Sequence, residues 1–325
     1  MSTNYAKIIT VKPYDEGVRI DNYILKKCKE MPFFLVQKLL RTGQIRVDGH
    51  RVKGSLRLQV GNKVRIPSSF ILPVKVSIND KISNSLTKKI KDQYILFRDS
   101  NIIAINKPAG LSVQGGTKIK YHIDGLLDNF KFDLENKPQL VHRLDKETSG
   151  VLLLARTPII ARRLTKAFKN KEISKNYVAV VHGKFPKSNG EINIPLEKIS
   201  FLNSSKSEMT AKDTKQAVTK YNVLWKGKFE NNIISIVEFI PITGRKHQIR
   251  AHAYHVGCPI IGDKKYYIKT KNSACISKYC ENMFLHAKEL GVPDLEGITI
   301  RIKAPFPSYM TKLFSLIGFR GFDSE

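Results

Sequence analysis

A polar segment at residues 142–150 lies between two apolar runs, at residues 139–141 and 151–155. The runs are short enough to be strands, so the segment predicts a turn that holds its side chains at the rim of a core. Gly150 ends the segment, where glycine permits backbone angles that other residues avoid. A solvated loop with an Arg–Asp pair is the ordinary interpretation, and the rest of the chain favours a functional one. Six residues of the segment ionise or form strong hydrogen bonds: Arg143, Asp145, Lys146, Glu147, Thr148 and Ser149.

The chain after residue 92 contains many strand-like runs and few helical ones. The runs are rich in β-branched residues and are separated by polar turns, which is typical of strands that pair with their neighbours. Helices are predicted near residues 122–129 and 158–168, the second of them amphipathic. A third is predicted to begin after Gly244, and because Arg245 and Arg250 bracket its start, a negative group should lie nearby. This pattern predicts an α+β fold in which helices flank a mixed, mainly antiparallel sheet. The strand-like runs are at residues 94–97, 102–105, 175–183, 217–224 and 233–239.

The first 80 residues predict a smaller α+β unit. A strand and two amphipathic helices precede residues 44–52, which alternate on both sides of Asp48-Gly49 and therefore predict a β-hairpin. The residues that follow this unit are rich in Lys, Ser and Asn, a composition typical of linkers. The predicted division is 1–80 for the first domain, 81–92 for the linker and 93–325 for the second domain.

Positive charge is in large excess, with 56 Lys and Arg against 28 Asp and Glu, a net charge of +28. Such an excess predicts a polyanion as partner. A membrane is the competing partner, but no stretch approaches the roughly 20 apolar residues of a spanning helix, and the N-terminus lacks the apolar core of a secretion signal. We therefore expect a cytoplasmic protein that binds nucleic acid. The predicted phosphate-binding residues of the first domain lie on its second helix and beside its hairpin turn: Lys38, Arg41, Arg46 and Arg51.

Neither a metal site nor a disulfide framework is predicted. The four cysteines include no Cys-x-x-Cys pair, which argues against a zinc ribbon and against a stapled fold. His247, His252 and His255 are close in sequence, but no Asp or Glu lies among them. We expect the protein to work without a metal or another cofactor.

Two short motifs in the first domain resemble those of S4 RNA-binding domains. Arg19-Ile20-Asp21 with Ile24 matches the first motif, and residues 43–48, at the end of the second helix, match the second. The resemblance covers residues 18–80 and implies that this domain binds RNA.

The segment at residues 142–150, His-Arg-Leu-Asp-x-x-Thr-Ser-Gly, resembles the catalytic motif of the RluA-type pseudouridine synthases. Four further segments resemble the other motifs of this family, in the family's order. Within the family, the resemblance is greatest to the C-type enzymes of the ribosomal large subunit. The chain departs from the family pattern at Gln114, Lys246 and Tyr267, where His, Thr and Gly are usual. The four segments are at residues 107–110, 175–177, 244–250 and 285–287.

The resemblance implies a monomeric enzyme that isomerises uridine to pseudouridine in large-subunit (23S) ribosomal RNA or its precursor. By the same resemblance, Asp145 is catalytic and Arg250 pairs with it. Tyr177 is implied to stack under the uracil base and to take part in removing the C5 proton. Arg143 resembles the residue that fills the place of the flipped-out nucleotide. The other positions implied to bind substrate or RNA are His142, Thr148, Lys107, Arg245, Gln248 and Leu285.

A carboxylate suits this reaction, in which the C1′–N1 bond breaks, the uracil rotates and C5 joins C1′. An ionised Asp145 can attack C1′ as a nucleophile or act as a base at the ribose, and the sequence leaves both routes open. A dry pocket disfavours an ionised carboxylate, so a partner must stabilise its charge. The planar, permanently charged side chain of Arg250 is suited to that task.

Two other functions are compatible with some of these residues. A glycoside hydrolase would also use Asp145, but it would need a second carboxylate at a fixed separation and aromatic side chains for the sugar, whereas the chain has one Trp. A catalytically inactive RNA-binding or ribosome-assembly factor explains the charge and the first domain. It does not explain why Asp145, Tyr177 and Arg250 are all present.

Overall fold

The structure is a computed structural model that describes residues 6–28, 31, 33–67, 80–115, 119, 121–196, 216–230, 232–267, 282–294 and 297–321. The chain forms two compact units, Met1–Asp80 and Lys81–Glu325. Each unit has a hydrophobic core of its own. Within the described residues, no helix is long and apolar enough to cross a membrane.

The first unit contains a four-stranded antiparallel sheet and two helices that share one core with it. Its elements are β1 (Ala6–Thr10), a 3-10 turn (Pro13–Asp15), α1 (Ile20–Lys27), α2 (Phe33–Arg41), β2 (Arg46–Val47), β3 (His50–Arg51) and β4 (Lys63–Pro67). The strand order is β1-β4-β2-β3. The predicted hairpin is confirmed, since β2 and β3 are joined by Asp48 and Gly49, with φ angles of 48° and 82°. Left-handed angles at both positions are what a two-residue hairpin turn requires.

The prediction of a linker at residues 81–92 is wrong. These residues belong to a helix, α3 (Asp80–Gln93), and Ile90 is fully buried in a core of the second unit. A composition rich in Lys, Ser and Asn suits the solvent-facing side of a helix as well as a linker, so it did not reveal the burial of Ile90. Residues 68–79, which complete the predicted S4 resemblance, lie outside the described part of the chain.

The second unit is built on a ten-stranded sheet that confirms the predicted mixed, mainly antiparallel α+β fold. Its helices are the greater part of α3, then α4 (Ile123–Leu126), which runs into a 3-10 turn (Leu127–Phe130), α5 (Pro158–Asn170), α6 (Gln248–His255) and α7 (Ser308–Leu316). Its strands are β5 (Ile95–Arg98), β6 (Ile102–Lys107), β7 (Gln139–Leu140), β8 (Ser149–Ala155), β9 (Ser174–His182), β10 (Asn189–Asn193), β11 (Val218–Phe229), β12 (Asn232–Pro241), β13 (Leu285–Pro293) and β14 (Thr299–Lys303).

The sheet has one long path of strands with two short strands attached. The path is β10-β11-β12-β9-β13-β8-β6-β5, with β14 paired to β13 and β7 paired to β8. Every pairing among the described strands is antiparallel except that of β13 with β8. All seven residues of β8 are buried, so this strand lies within the core with layers on both of its faces.

The polar turn at residues 142–148 is fixed at the start of this central strand. Ser149 and Gly150 pair with His286 and Ala287 of β13. A Cβ atom on Gly150 would lie 2.2 Å from the carbonyl oxygen of Ala287, and its φ angle is +110°. Only glycine fits this close approach of two backbones. The turn therefore enters the sheet in a single, tightly determined register.

Candidate active site

A cleft of about 660 Å³ opens in the second unit beside the turn at residues 142–148. Its walls come from that turn, from the end of α5, from the start of β9, from residues 241–250 and from Leu285 at the start of β13. The structure thus brings together segments that are far apart in sequence. The sequence-predicted residues that line the cleft are His142, Arg143, Asp145, Thr148, Tyr177, Arg245, Gln248, Arg250 and Leu285.

Asp145 lies in the wall of the cleft with 20% of its side chain exposed. Its Oδ2 atom accepts a hydrogen bond of 3.1 Å from Nη1 of Arg250. Nε2 of His247 lies 3.7 Å from the other carboxylate oxygen. Burial lowers the pKa of His247, although the charge of Asp145 opposes the shift, and the lowered pKa favours the neutral imidazole. Arg250 therefore supplies the positive charge next to Asp145.

Arg250 is the third residue of α6 and is held by a second carboxylate that the sequence analysis missed. Its Nε and Nη2 atoms donate to the two oxygens of Asp263, at 2.6 Å and 2.8 Å. Burial disfavours the charged guanidinium, but the hydrogen bonds and charges of Asp263 and then Asp145 outweigh it and raise the pKa of Arg250. A cation near a helix start was predicted to need negative groups nearby, and two carboxylates meet that need.

The helix that carries Arg250 begins later than predicted. Its predicted start is just after Gly244, whereas α6 begins at Gln248. His247 precedes the helix with a left-handed φ angle of 59°, which turns the chain sharply before the first helical residue. Arg245 is therefore not in the helix, and it lies in the exposed turn before it.

Tyr177 projects from β9 and lines the cleft together with Asp145. The strand register sets it opposite Phe239 of β12 and Ala287 of β13. Burial, and secondarily the charge of Asp145, raise the pKa of the Tyr177 hydroxyl above its ordinary value. The phenol therefore remains protonated at neutral pH and offers a flat aromatic face and a hydroxyl group to a ligand.

The mouth of the cleft is basic. Arg143 and Arg245, two of the residues predicted to bind RNA, are exposed at its edge. Lys175 is partly buried, and burial lowers its pKa. An accumulation of cations around one opening favours a polyanionic ligand. The further exposed cations of the lining are Lys169, Lys171 and Lys246.

Lys107 was predicted to bind RNA, and the structure corrects that prediction. The side chain is fully buried, and its Nζ atom donates to the carbonyl oxygens of Pro108, Leu111 and Lys146, at 2.8, 2.9 and 3.0 Å. Burial lowers the pKa of Lys107 to about 7. Lys107 therefore joins two loops at the residue next to Asp145, and RNA cannot reach it.

Gln248 was also predicted to contact RNA, but its amide is fully used within the protein. Oε1 accepts from the Thr243 hydroxyl at 2.7 Å and from the Arg245 amide at 3.0 Å. Nε2 donates to the carbonyl oxygen of Val218 and to the hydroxyl of Thr219, both at 2.9 Å. Since an amide group offers two donors and two acceptors for such pairs, Gln248 shapes the turn before α6.

Three other predicted residues form the inner wall of the cleft. Nε2 of His142 accepts from the amide of Leu153 at 2.8 Å, and its ring stacks on Phe168 with 4.6 Å between the centroids. Burial lowers the pKa of His142 to about 3, so the ring is neutral. Thr148 and Leu285 are both buried, and the Thr148 hydroxyl has no hydrogen-bond partner among the described residues.

The described residues contain no group of three or more His, Cys, Asp and Glu that could hold a metal ion. His252, one of the clustered histidines, is instead engaged by the Thr219 hydroxyl at 2.9 Å and by the carbonyl oxygen of Ile194 at 3.0 Å.

In the first unit, the predicted basic residues Lys38, Arg41, Arg46 and Arg51 are all exposed. Arg46 of β2 lies directly opposite Arg51 of β3 on one side and Arg65 of β4 on the other. Three arginines therefore form a row across neighbouring strands, which we call the arginine row (Arg51, Arg46, Arg65). Like charges placed directly opposite each other destabilise a sheet.

Comparisons with known proteins agree on one family. Residues 101–255 match the family described as RNA pseudouridylate synthase. A Rickettsia conorii protein named ribosomal large subunit pseudouridine synthase C is 38% identical over 298 residues, which covers 90% of this chain and 95% of that protein. A Pasteurella multocida protein of the same name is 32% identical over 315 residues, which covers 96% and 94%. The solved structure of human RNA pseudouridylate synthase domain containing 4 has a TM-score of 0.60 and 28% identity, over 74% of this chain and 98% of that one.

Proposed function

Because the chain belongs to the RluA-type family of RNA pseudouridylate synthases, we propose that it isomerises uridine to pseudouridine in large-subunit (23S) ribosomal RNA or its precursor. The observation that carries the proposal is the carboxylate of Asp145, which is partly exposed in a cleft with a basic mouth and is held by Arg250. The name of the relatives supports the choice of substrate, because it specifies the ribosomal large subunit. A cytoplasmic location follows from such a substrate.

The reaction exchanges one bond of the nucleotide for another. The C1′–N1 bond breaks, the uracil turns, and C5 bonds to C1′; C5 then loses its proton, and N1 carries one in the product. Asp145 serves either as the nucleophile at C1′ or as the base at the ribose. Both routes need its ionised form. Arg250 stabilises that form through a charge-assisted hydrogen bond in a partly desolvated site.

Tyr177 is the residue that we assign to the uracil base. Its ring lines the same cleft as Asp145, and an aromatic face can stack on a base at a gain of about 1–3 kcal/mol. The raised pKa of its hydroxyl argues against a phenolate as the base that removes the C5 proton. We therefore assign stacking and hydrogen bonding to Tyr177, with its proton in place.

The target nucleotide must leave its stack to bring C1′ to Asp145, which costs a few kcal/mol. The cations around the mouth of the cleft are suited to hold the phosphates on both sides of it. Arg143 is exposed and lies two residues before Asp145, so we assign it to the place that the flipped-out base vacates. Arg245 and Lys246 are assigned to the neighbouring phosphates.

We also propose that the first unit is an S4-type RNA-binding domain. The arginine row supports this, because a phosphate backbone along these strands would relieve the repulsion between its like charges. Lys38 and Arg41 belong to the exposed surface of α2 and add to the positive charge of the unit. This unit is assigned a role in affinity for RNA and no part in the chemistry.

Tritium release tests the proposed function. Purified protein is incubated with large-subunit ribosomal RNA that carries tritium at C5 of its uridines, because isomerisation must release that tritium to water. We expect tritium release, together with pseudouridine in the digested RNA. Free uracil without tritium release would identify a hydrolase. RNA binding without either product would identify a binding factor, and both results contradict the proposal.

Asp145→Asn is the matched variant for this assay. It keeps the size of the side chain and removes its charge, so we expect no tritium release above background and retained RNA binding in a filter assay. Measurable turnover by the Asn variant would show that another residue carries the reaction.

A further inference from the structure

The side chain of Asp263 is fully buried. Arg250 links it to the catalytic residue, because the guanidinium donates hydrogen bonds to both Asp263 and Asp145. The two oxygens of Asp263 accept hydrogen bonds from Nε and Nη2 of Arg250, at 2.6 Å and 2.8 Å. The remaining nitrogen, Nη1, donates to Asp145. A bidentate pair of this kind fixes the plane of the guanidinium as well as its position. Asp263 therefore determines the direction in which Nη1 of Arg250 points at Asp145.

Asp263 is itself held by the backbone. Its Oδ1 atom also accepts from the amides of Lys265 and Tyr266, at 2.8 Å and 3.0 Å. The preceding Gly262 has a φ angle of +79°, and a Cβ atom there would lie 2.2 Å from the carbonyl oxygen of Asn282. The turn that carries Asp263 is thus tightly packed. The packing of this turn fixes the position of the Asp263 carboxylate, and the carboxylate in turn fixes the position of the Arg250 guanidinium.

The same turn places an aromatic ring against the arginine. The ring centroid of Tyr266 lies 5.4 Å from Cζ of Arg250, within the range of a cation–π contact. Tyr266 also meets the ring of His247 edge to face, with 5.8 Å between the centroids. One turn therefore supplies both the carboxylate of Asp263 and the ring of Tyr266 to the Arg250 guanidinium.

The distances indicate how the positive charge of Arg250 is shared. Charge-assisted N–H···O hydrogen bonds are usually about 2.7–2.9 Å long. Both contacts to Asp263 are at least this short, at 2.6 Å and 2.8 Å, while the contact to Asp145 is longer, at 3.1 Å. Arg250 is thus neutralised mainly by Asp263. Asp145 is oriented by a single, longer hydrogen bond from the arginine, and its other lone pairs remain available to a substrate.

From this geometry we propose that Asp263 is a positioning residue of the isomerisation site. It aims Arg250 at Asp145 and takes up enough of the arginine's charge that Asp145 remains a reactive carboxylate. This inference rests on the proposed function. Because the side chain of Asp263 is buried and does not line the cleft, its loss should slow the chemical step and leave RNA binding unchanged.

The test is the single-turnover rate constant of tritium release with enzyme in excess over RNA. For Asp263→Asn we expect that constant to fall by about 100-fold, as when a reacting group is displaced by about 1 Å. The dissociation constant for RNA should stay within about threefold, which corresponds to less than about 1 kcal/mol. A purely structural role would lower the active fraction, and therefore the amplitude of the reaction, with no change in its rate constant.

Asp99→Asn is the matched control. Oδ1 of Asp99 accepts from two successive amides, of Asn101 and Ile102, both at 2.7 Å, as Asp263 does, and Asp99 does not line the cleft. This variant should react at the rate of the unmodified protein. Asp263→Glu retains the negative charge and should react faster than Asp263→Asn, which tests the charge even if the Asn variant folds poorly.

A double variant completes the test. If Asp263 acts only through Arg250, Asp263→Asn combined with Arg250→Lys should be no slower than Arg250→Lys alone. An unmodified protein that releases no tritium contradicts the proposed function itself. An active protein whose Asp263→Asn and Asp263→Glu variants both react at the normal rate overturns only the role of Asp263.

Discussion

Each unit of the protein holds an aspartate against an arginine, and the two pairs differ in how completely the acid is satisfied. In the first unit, the carboxylate of Asp21 accepts from Arg19 at 3.1 and 2.7 Å, from the amide of Asn22 at 2.9 Å and from Gln37 at 3.2 Å, and the residue is 2% exposed. In the second unit, the described residues give the carboxylate of Asp145 one hydrogen bond, and 20% of its side chain is exposed.

The difference separates a structural ion pair from a reactive one. A carboxylate that accepts four hydrogen bonds has few lone pairs left for a substrate, while Asp145 has most of its lone pairs available. The pKa of Asp21 shows the effect of its donors, because burial favours the neutral acid, yet Arg19 and the other donors lower the pKa below its usual value. An Asp–Arg pair thus marks a functional site when the acid is left partly unsatisfied in a cleft.

Removing the arginine from each pair should give the largest contrast. Arg250→Ala leaves Asp145 and the fully buried Asp263 without their cation, and breaking such a buried pair costs about 3–5 kcal/mol. Arg19 is half exposed, and Asp21 keeps its hydrogen bonds from Asn22 and Gln37 without it, so Arg19→Ala should cost much less. Activity should fall on every RNA for Arg250→Ala and remain normal for Arg19→Ala.

Denaturant unfolding of both variants, together with their tritium-release rates, measures this contrast. Arg19→Ala is the control for removing an arginine that pairs with a buried acid. Equal losses of activity in the two variants would contradict this prediction. They would mean that both Asp–Arg pairs affect activity only through the stability of the protein, and that the reaction does not require Arg250.

The features that could be predicted from the sequence are local ones. The hairpin at Asp48-Gly49 and the polar turn before β8 are encoded within about ten residues, by alternation and by residues that tolerate left-handed angles. Asp145, Tyr177 and Arg250 were identified by motif resemblance, and all three line the same cleft.

The features that were missed depend on contacts between distant segments. Lys107 reaches a carbonyl oxygen 39 residues away, and Gln248 binds groups 29 and 30 residues away, so no local pattern shows that their polar atoms face inward. Asp263 lies 13 residues after Arg250, beyond the reach of a helical repeat. Its sequence context, an acid directly after an apolar run and a glycine, was the available signal.

A smaller loss of activity is expected for Arg143, which is exposed at the edge of the cleft, than for Arg250, which holds Asp145. Arg143 is exposed and is assigned to the space left by the flipped-out base, so it should matter where a base must be drawn from a stack. We expect Arg143→Ala to slow the reaction about 30-fold on structured ribosomal RNA, equivalent to about 2 kcal/mol of the unstacking cost. An unstructured oligonucleotide with the same uridine should show little change.

Single-turnover rates on both RNAs, for Arg143→Ala and Arg250→Ala in parallel, measure this difference. Arg250→Ala should be slow on both substrates, because the charge and direction of Asp145 matter for each of them. If Arg143→Ala lost the same factor on the two RNAs, its assignment to base flipping would be wrong, and a role in holding the catalytic turn would explain the loss better.

The smallest effect is expected in the first unit, where charge is proposed to serve affinity alone. Replacing the arginine row by glutamine should reduce the slope of log affinity against log salt by about 2 to 3, since each lost phosphate contact removes about one counterion. The rate constant at saturating RNA should stay normal. Three other exposed arginines, Arg98, Arg162 and Arg301, belong to the second unit and do not line its cleft, and they provide a matched triple variant that should leave the slope unchanged.

The variant in which glutamine replaces the arginine row should also differ from the unmodified protein in stability, which is measured independently of RNA binding. Arg46 lies between two like charges in the sheet, so removing the row relieves repulsion in the free protein and should slightly stabilise the first unit. Amide hydrogen exchange in β2 and β4 of the full chain measures that change. Slower exchange together with a shallower salt slope indicates that the row is maintained for RNA at a cost in stability. Slower exchange with an unchanged slope would show that these arginines do not contact RNA.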